Sequence, residues 1–255
     1  MKVLFACDGP QAVDAITEEI FRTGLPANGK ALVLCVGQSP STQLLTEIAR
    51  EKIQPQIRGW DITCEALTGA PQDVILHASR LWHPDLLMLS GQPGLDDTNA
   101  ATRNLSLDLV RQARCSVRMV RPRTHSKQDS IRLLIGHDGS RSAAAIHAAF
   151  ARRNWPVDAE ALVVSVLKSS SAVNLSTLSE GGRSFASLLR RPGLRVDATA
   201  IEGDPWRILI QEAERFNADS IFVGARDPMG PDRFAMGSVA TAVWAQARCP
   251  VEVVR

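Results

Sequence analysis

The chain has no stretch suited to a membrane span or a leader. Across its 255 residues the longest apolar runs are about strand length, such as Leu86 to Leu89, whereas a spanning helix needs about 18 or more apolar residues. Met1-Lys2, then Val3 to Cys7 and then Asp8, is too short an apolar core for a signal peptide and runs straight into an acid-containing turn. The expected location is therefore cytoplasmic, with no membrane partner. Excess charge is also lacking: 29 Lys and Arg stand against 27 Asp and Glu, a net +2, so the bulk numbers demand no polyanion-binding surface. Cysteine is scarce and unpatterned. Cys7, Cys35, Cys64, Cys115 and Cys249 are odd in number, with no C-x-x-C pair and no histidine at metal-ligand spacing, which argues against a metal site and a disulfide framework. Small buried hydrophobes in a reduced compartment are expected instead.

Catalytic fingerprints are missing too. There is no G-x-S-x-G elbow, no Walker-type GxxxxGK and no strand-linked GxGxxG, so hydrolase, P-loop and dinucleotide-dehydrogenase readings lose their support. His77 and His147 fall in helical patterns, where packed or solvent-facing histidines are ordinary, and no nucleophile-base arrangement emerges. No catalytic residue is assigned. The tryptophans, Trp60, Trp82, Trp155, Trp206 and Trp244, stand singly, without the aromatic stripe of a nucleic-acid reader. They are expected to pack against the sheet.

What the chain does contain is 45% hydrophobic residues, enough for one large core or two ordinary ones. An internal repeat favours two. Residues 2 to 9, KVLFACDG, recur as RLLIGHDG at 132 to 139, and ALVLCV at 31 to 36 recurs as ALVVSV at 161 to 166, both at an offset of 130 (138 − 8). Farther on, Gly69-Ala70-Pro71 matches Gly203-Asp204-Pro205, Asp85 matches Asp219, and Gln112 to Cys115 recurs unchanged at Gln246 to Cys249, at an offset of 134 (246 − 112). One altered loop in a duplicated domain reconciles the two registers. Arg121 to Ser130 lacks apolar periodicity and reads as a linker, giving expected domains of 1–125 and 126–255 with the boundary near residue 126.

Within each copy, short β-branched runs alternate with longer amphipathic stretches, the pattern of βαβ units. In the second copy strands are predicted at about 131 to 137, 159 to 167, 194 to 201, 219 to 224 and 250 to 254. Helices are expected over Ser140 to Asn154, with Ala143, Ala144, Ile146, His147 and Phe150 at helical spacing, over Trp206 to Phe216 behind Pro205, and over Val239 to Ala247. Ser169 to Ser187 is Ser- and Gly-rich, a weaker helical pattern. The fold expected is α/β: two tandem doubly wound domains, each a five-stranded parallel sheet flanked by helices. Ligands of such sheets sit at the carboxyl ends of the strands where the winding reverses.

Two loops of the second copy stand at such ends. In His137-Asp138-Gly139-Ser140 the carboxylate of Asp138 could accept from a ribose or an adenine amino group, or could cap the following helix. The loop from Gly224 to Gly237-Ser238 feeds a helix N-terminus, where free N–H groups and the dipole suit phosphate, with a structural turn as the competing reading.

GARDPMGPDRFAMGS, Gly224 to Ser238, followed by a helix and the strand Pro250 to Val254, resembles the ATP-loop signature of universal stress proteins: glycine, two residues, glycine, nine residues, then glycine and serine or threonine. Three of four positions match, Gly224, Gly237 and Ser238, and Asp227 departs. The DGS turn at Asp138 to Ser140, the ALVVSV strand and the Gly203-Asp204-Pro205 turn resemble that family as well, so the likeness covers nearly the whole chain in two copies. It implies an adenine-nucleotide α-hydrolase-like (HUP) fold. It also implies ATP, with magnesium, as ligand: Asp138 and Val166 about the adenine and ribose, Gly224, Gly237, Ser238 and Val239 about the phosphates, with Gly139, Ser140 and Asp227 as further cofactor-binding positions. A slow ATPase at most, a regulatory role in stress through an unidentified protein partner, a homodimer, and pairing of the two domains through the terminal strands Val117 to Val120 and Val251 to Val254 are further implications. Asp227 weighs against tight binding. A non-glycine residue at positive φ costs about 1–2 kcal/mol, and a carboxylate about 4 Å from a phosphate charge costs roughly 4 kcal/mol at an effective dielectric near 20. Arg226, Arg233 or a shared divalent cation could compensate.

In the first copy, Ser90, Pro93, Arg103 and Asn104 occupy the positions of Gly224, Asp227, Gly237 and Ser238. Gly91 and Gly94 are one residue out of register, and Asp96 and Asp97 add negative charge. That copy is expected to be degenerate and structural, with Asp8 only a helix cap. Two rivals to a nucleotide-binding regulator remain: a nucleotide-free dimerisation module of the same fold, and an adenylating ligase, for which Asp138-Gly139-Ser140 is a poor pyrophosphate loop.

Overall fold

A computed structural model describes residues 1–37, 41–90, 100–121, 130–140, 142–168, 174–225 and 236–255. The chain divides into two compact units, Met1–Pro122 and Arg123–Arg255. The expected linker lies mostly outside the described residues.

In the first unit the elements run β1 (Lys2–Cys7), α1 (Pro10–Ile20), β2 (Gly29–Val36), α2 (Ser41–Ile53), β3 (Trp60–Leu67), α3 (Pro71–Trp82), β4 (Leu86–Ser90), α4 (Ala100–Gln112) and β5 (Ser116–Val120). Its strands pair in parallel in the order β3-β2-β1-β4-β5. The second unit repeats the plan with β6 (Arg132–His137), α5 (Ser142–Ala151), β7 (Ala159–Leu167), α6 (Leu175–Leu189), β8 (Leu194–Glu202), α7 (Pro205–Arg215), β9 (Ser220–Gly224), α8 (Ser238–Gln246) and β10 (Val251–Val254). Its order is β8-β7-β6-β9-β10, again all parallel. In each unit the winding reverses beside the first strand, between β1 and β4 and between β6 and β9. That reversal opens the crevice in which doubly wound sheets hold ligands.

Strand alternation sets the two faces of the second sheet. Leu133, Ile135, Val163 and Phe222 pack with Phe150 of α5 and Phe185 of α6 in one buried cluster, whose aromatic rings meet edge-on or tilted at 4.9 Å. Trp155 is buried in that cluster, Trp244 of α8 is buried elsewhere in the second unit, and Trp60 is buried in the first unit. On α5 the buried stripe is Ile146 and Phe150 with Ala143 beside them, while Ala144 is exposed. The Gly-x-Pro turns are the same in both units. Gly69 and Gly203 take φ of 142° and 151°, and Pro71 and Pro205 then open α3 and α7, where a missing N–H costs nothing.

The Ser/Gly-rich stretch does form a helix, α6. Asn174 caps it, its side-chain oxygen accepting the N–H of Thr177 at 2.8 Å. Two glycines inside a helix cost about 1 kcal/mol each relative to alanine, and packing explains Gly182. A Cβ at Gly182 would lie 2.8 Å from the Ser165 Oγ, and one at Gly181 would lie 3.8 Å from the His137 ring. Small residues let α6 settle close over the ends of β6 and β7.

Candidate functional site

At the carboxyl ends of β6, β7 and β9 lies a cavity of ≈ 630 Å³, bounded by α6 on one side and by α7 and α8 on the other. The site therefore falls at the reversal point of the second unit. Five residues expected from sequence line it: Asp138, Gly139, Val166, Gly224 and Val239. Three do not: Ser140, Gly237 and Ser238 are absent from the cavity wall. Asp227 lies outside the described residues.

Ser140 is turned into the entry to α5. Its hydroxyl lies 2.7 Å from that of Ser142 and accepts the Ser142 N–H at 3.2 Å, so it shapes the turn. Asp138 does not cap α5 directly either. One of its oxygens accepts the N–H of Ser140, two residues on, at 2.9 Å, an Asx turn that Gly139 completes at φ 74°. A carboxylate has about four acceptor positions, so this turn leaves Asp138 capacity toward the cavity. In the first unit Asp8 is likewise no cap: the N-cap of α1 is Gly9, with no side-chain bond.

Gly224 is fixed by packing. A Cβ there would sit 2.3 Å from the Ser142 Oγ, so α5 can approach the end of β9 only because this residue has no side chain. Gly237 is the N-cap of α8, and no side chain caps the helix among the described residues. Its own N–H is taken by the carbonyl of Ala225 at 2.6 Å. Its carbonyl accepts from both the N–H and the hydroxyl of Thr241, each at 2.9 Å. The N–H groups of Ser238, Val239 and Ala240 have no acceptor among the described residues, and Val239 and Ala240 line the cavity. Open amides at a positive helix end suit an anion.

Sequence reasoning passed over the most unusual side chain of the wall. His137, the last residue of β6, continues the Leu133-Ile135 alternation onto the α6 face. It stacks on Phe185 at 4.9 Å, and its Nδ1 lies 3.1 Å from the Ser165 Oγ, its partner in register on β7. It is 9% exposed and lines the cavity. Burial pushes the imidazole below its ordinary 6.5, opposed by neighbouring Asp138. Lys168, just past β7, and Thr177 of α6 also reach the wall. Alternation along β6 was the available signal for His137. The α6 contributors had none beyond composition.

In the first unit, Arg103 and Asn104 lie inside α4, which starts at Ala100, and not ahead of a helix mouth as the Gly237-Ser238 register suggested. The longer helix already encloses their backbone.

Residues 132–255 match the model of the universal stress protein family. A universal stress protein of Methanocaldococcus jannaschii is 36% identical over 63 residues, which span 25% of this chain and 37% of that relative. Among solved structures, a universal stress protein from Archaeoglobus fulgidus superposes with a TM-score of 0.72 at 16% identity, covering 99% of this chain and 95% of that one. A protein of unknown function from Pseudomonas aeruginosa superposes at 0.71 and 16% identity, covering 99% and 91%. The α/β fold is thus that of universal stress protein structures. Residues 132–255 are thus a universal stress protein domain.

Proposed function

We propose that the second unit binds an adenine nucleotide, ATP with magnesium, and that the protein is a stress-response regulator whose nucleotide state is read by a protein partner. The reading is carried by the ≈ 630 Å³ cleft between the Asp138–Gly139 turn and the open mouth of α8. Its volume falls in the usual range for small-molecule sites, about 300–1,000 Å³. The phosphates lie against the N–H groups of Ser238 and Val239, and the nucleoside lies toward Asp138 and Val166. Asp138 accepts from a ribose hydroxyl or the exocyclic amine. Asp227 offers a carboxylate for a magnesium ion held by the phosphates. The tandem arrangement gives such a regulator one nucleotide unit and one unit of the same topology with a much smaller cleft.

The test is a thermal melt under ATP titration, with and without magnesium. Millimolar ATP should raise the melting temperature by several degrees. In Gly237→Trp the rise should vanish, because the indole would cover the α8 amides; even a Cβ there already lies 3.2 Å from the Ala225 carbonyl. No shift of the wild-type chain at millimolar ATP would overturn the reading in favour of a nucleotide-free interaction module.

A further inference from the structure

We propose that His137 reads the uncharged, nucleoside part of the ligand, its Nε2 hydrogen-bonding the base edge or the ribose. This rests on the nucleotide reading above and adds a specificity residue to it.

One ring nitrogen is occupied. Nδ1 lies 3.1 Å from the Ser165 Oγ, and Phe185 stacks on the ring at 4.9 Å, so position and tilt are fixed. For Nε2 there is no hydrogen-bond partner among the described residues, yet the side chain is 9% exposed and what it lines is the cavity. This nitrogen keeps its hydrogen-bonding capacity for whatever occupies the cavity, and a ligand group that displaces solvent there can bond it. A ligand group in the cavity is the natural partner.

The two faces of the sheet separate this atom from the phosphate end. His137 lies on the α6 face with Leu133 and Ile135. Gly136 and Val223 turn to the other face, where a Cβ on Gly136 would touch Leu209 of α7, and α8 packs with α7 there. A ligand spanning the cavity with its anion on the α8 amides brings its uncharged end to His137. Ser165 suits either tautomer, since a hydroxyl can donate to Nδ1 or accept from it. Nε2 is then correspondingly a donor or an acceptor. Gly182, whose Cβ would clash with the Ser165 hydroxyl, keeps α6 close over this pair.

The experiment measures calorimetric affinities of ATP and of inorganic tripolyphosphate for wild type, His137→Leu and His137→Gln, with circular dichroism as the check on folding. His137→Leu should weaken ATP about tenfold and leave tripolyphosphate unchanged. His137→Gln, whose amide can reach the Nε2 position, should recover most of the loss. In the wild-type chain labelled with 15N-histidine, the Nε2 resonance missing from His137→Gln should move with ATP and stay with tripolyphosphate. That spectrum decides the matter if His137→Leu does not fold. Unchanged ATP affinity in a folded His137→Leu, equal losses for both ligands, or an unmoved resonance would overturn the assignment. A wild-type chain that binds no ATP would instead sink the nucleotide reading, seen before any variant is made, and this assignment with it.

Discussion

The two units share one topology and differ in what they do with it. In the first, the crevice lined by Cys7, Asp8, Val36, Pro71 and Ser90 holds ≈ 30 Å³, about the room of one water. In the second, the positions in the same register are His137, Asp138, Val166, Pro205 and Gly224, and the cleft holds ≈ 630 Å³. The turn aspartate is common to both, so it does not make the room. The helix after the fourth strand contributes: α4 runs 13 residues and puts Leu109 on the wall, whereas α8 runs 9 and presents Val239 and Ala240. The pair at the strand ends changes as well, from Cys7 beside Cys35 to His137 beside Ser165. Winding creates a crevice in both units, and the two differ in how much of it the following helix and the side chains fill.

A second difference is one of sign. In the first unit Arg118 of β5 pairs with Glu19 of α1, the side chains 0% and 3% exposed. In the second, Glu252 of β10 pairs with Arg153 just past α5, the side chains 0% and 2% exposed. Arg118 and Glu252 stand at equivalent positions, so the same buried bond is made with its charges exchanged. Removing one partner of a buried pair strands a desolvated charge and typically costs about 3–5 kcal/mol. Glu252→Leu and Arg118→Leu should therefore each lower the urea midpoint by an amount of that order, the largest effect expected here. If one variant is near neutral, the two bonds are equivalent in position alone.

A smaller effect should come from the strand ends. Gly224→Ala drives a methyl against the Ser142 hydroxyl, and such overpacking costs about 1–3 kcal/mol. In the register of the first unit these positions are Ser90 and Ala12, with the bulk on the other partner. The double variant Gly224→Ala/Ser142→Gly should recover most of the loss, and the coupling can be read from a double-mutant cycle of urea midpoints. Additive losses would show that Gly224 is needed for its backbone and not for the space it leaves.

Much of the fold was legible because it depends on patterns that survive locally. The repeated KVLFACDG and RLLIGHDG segments became β1 and β6, and the Gly-x-Pro turns became the starts of α3 and α7. The site was legible in part. Asp138, Gly139, Val166, Gly224 and Val239 meet on one wall because chain topology carries strand ends together. Ser140 is not on that wall, because a hydroxyl two residues from a helix start bonds locally. Asp8 and Asp138 were open to reading as caps because sequence shows a favoured residue type but not where the first helical turn begins. Thr177, Gly181 and Lys168 come to the wall through the packing of α6 and the length of β7, which no motif records.

The smallest expected effect follows pH and again separates the units. Burial holds the His137 imidazole below its ordinary 6.5, with Asp138 pulling the other way, so on acidification the unfolded chain takes up this proton first. Stability that is complete above pH 6.5 is then lost as the pH falls through 6.5 toward the folded value. In the first unit the equivalent residue, Cys7, has its thiol pushed up by the hydrogen bond with Cys35 and by burial, and it stays protonated throughout that range. Between pH 7.5 and 5.5 the wild-type melting temperature should therefore fall more than that of His137→Gln, while Cys7→Ser should leave the slope unchanged. Parallel slopes for wild type and His137→Gln would mean that the imidazole takes up its proton equally in the folded and unfolded chains, and the contrast between the two strand-end pairs would lose its electrostatic basis.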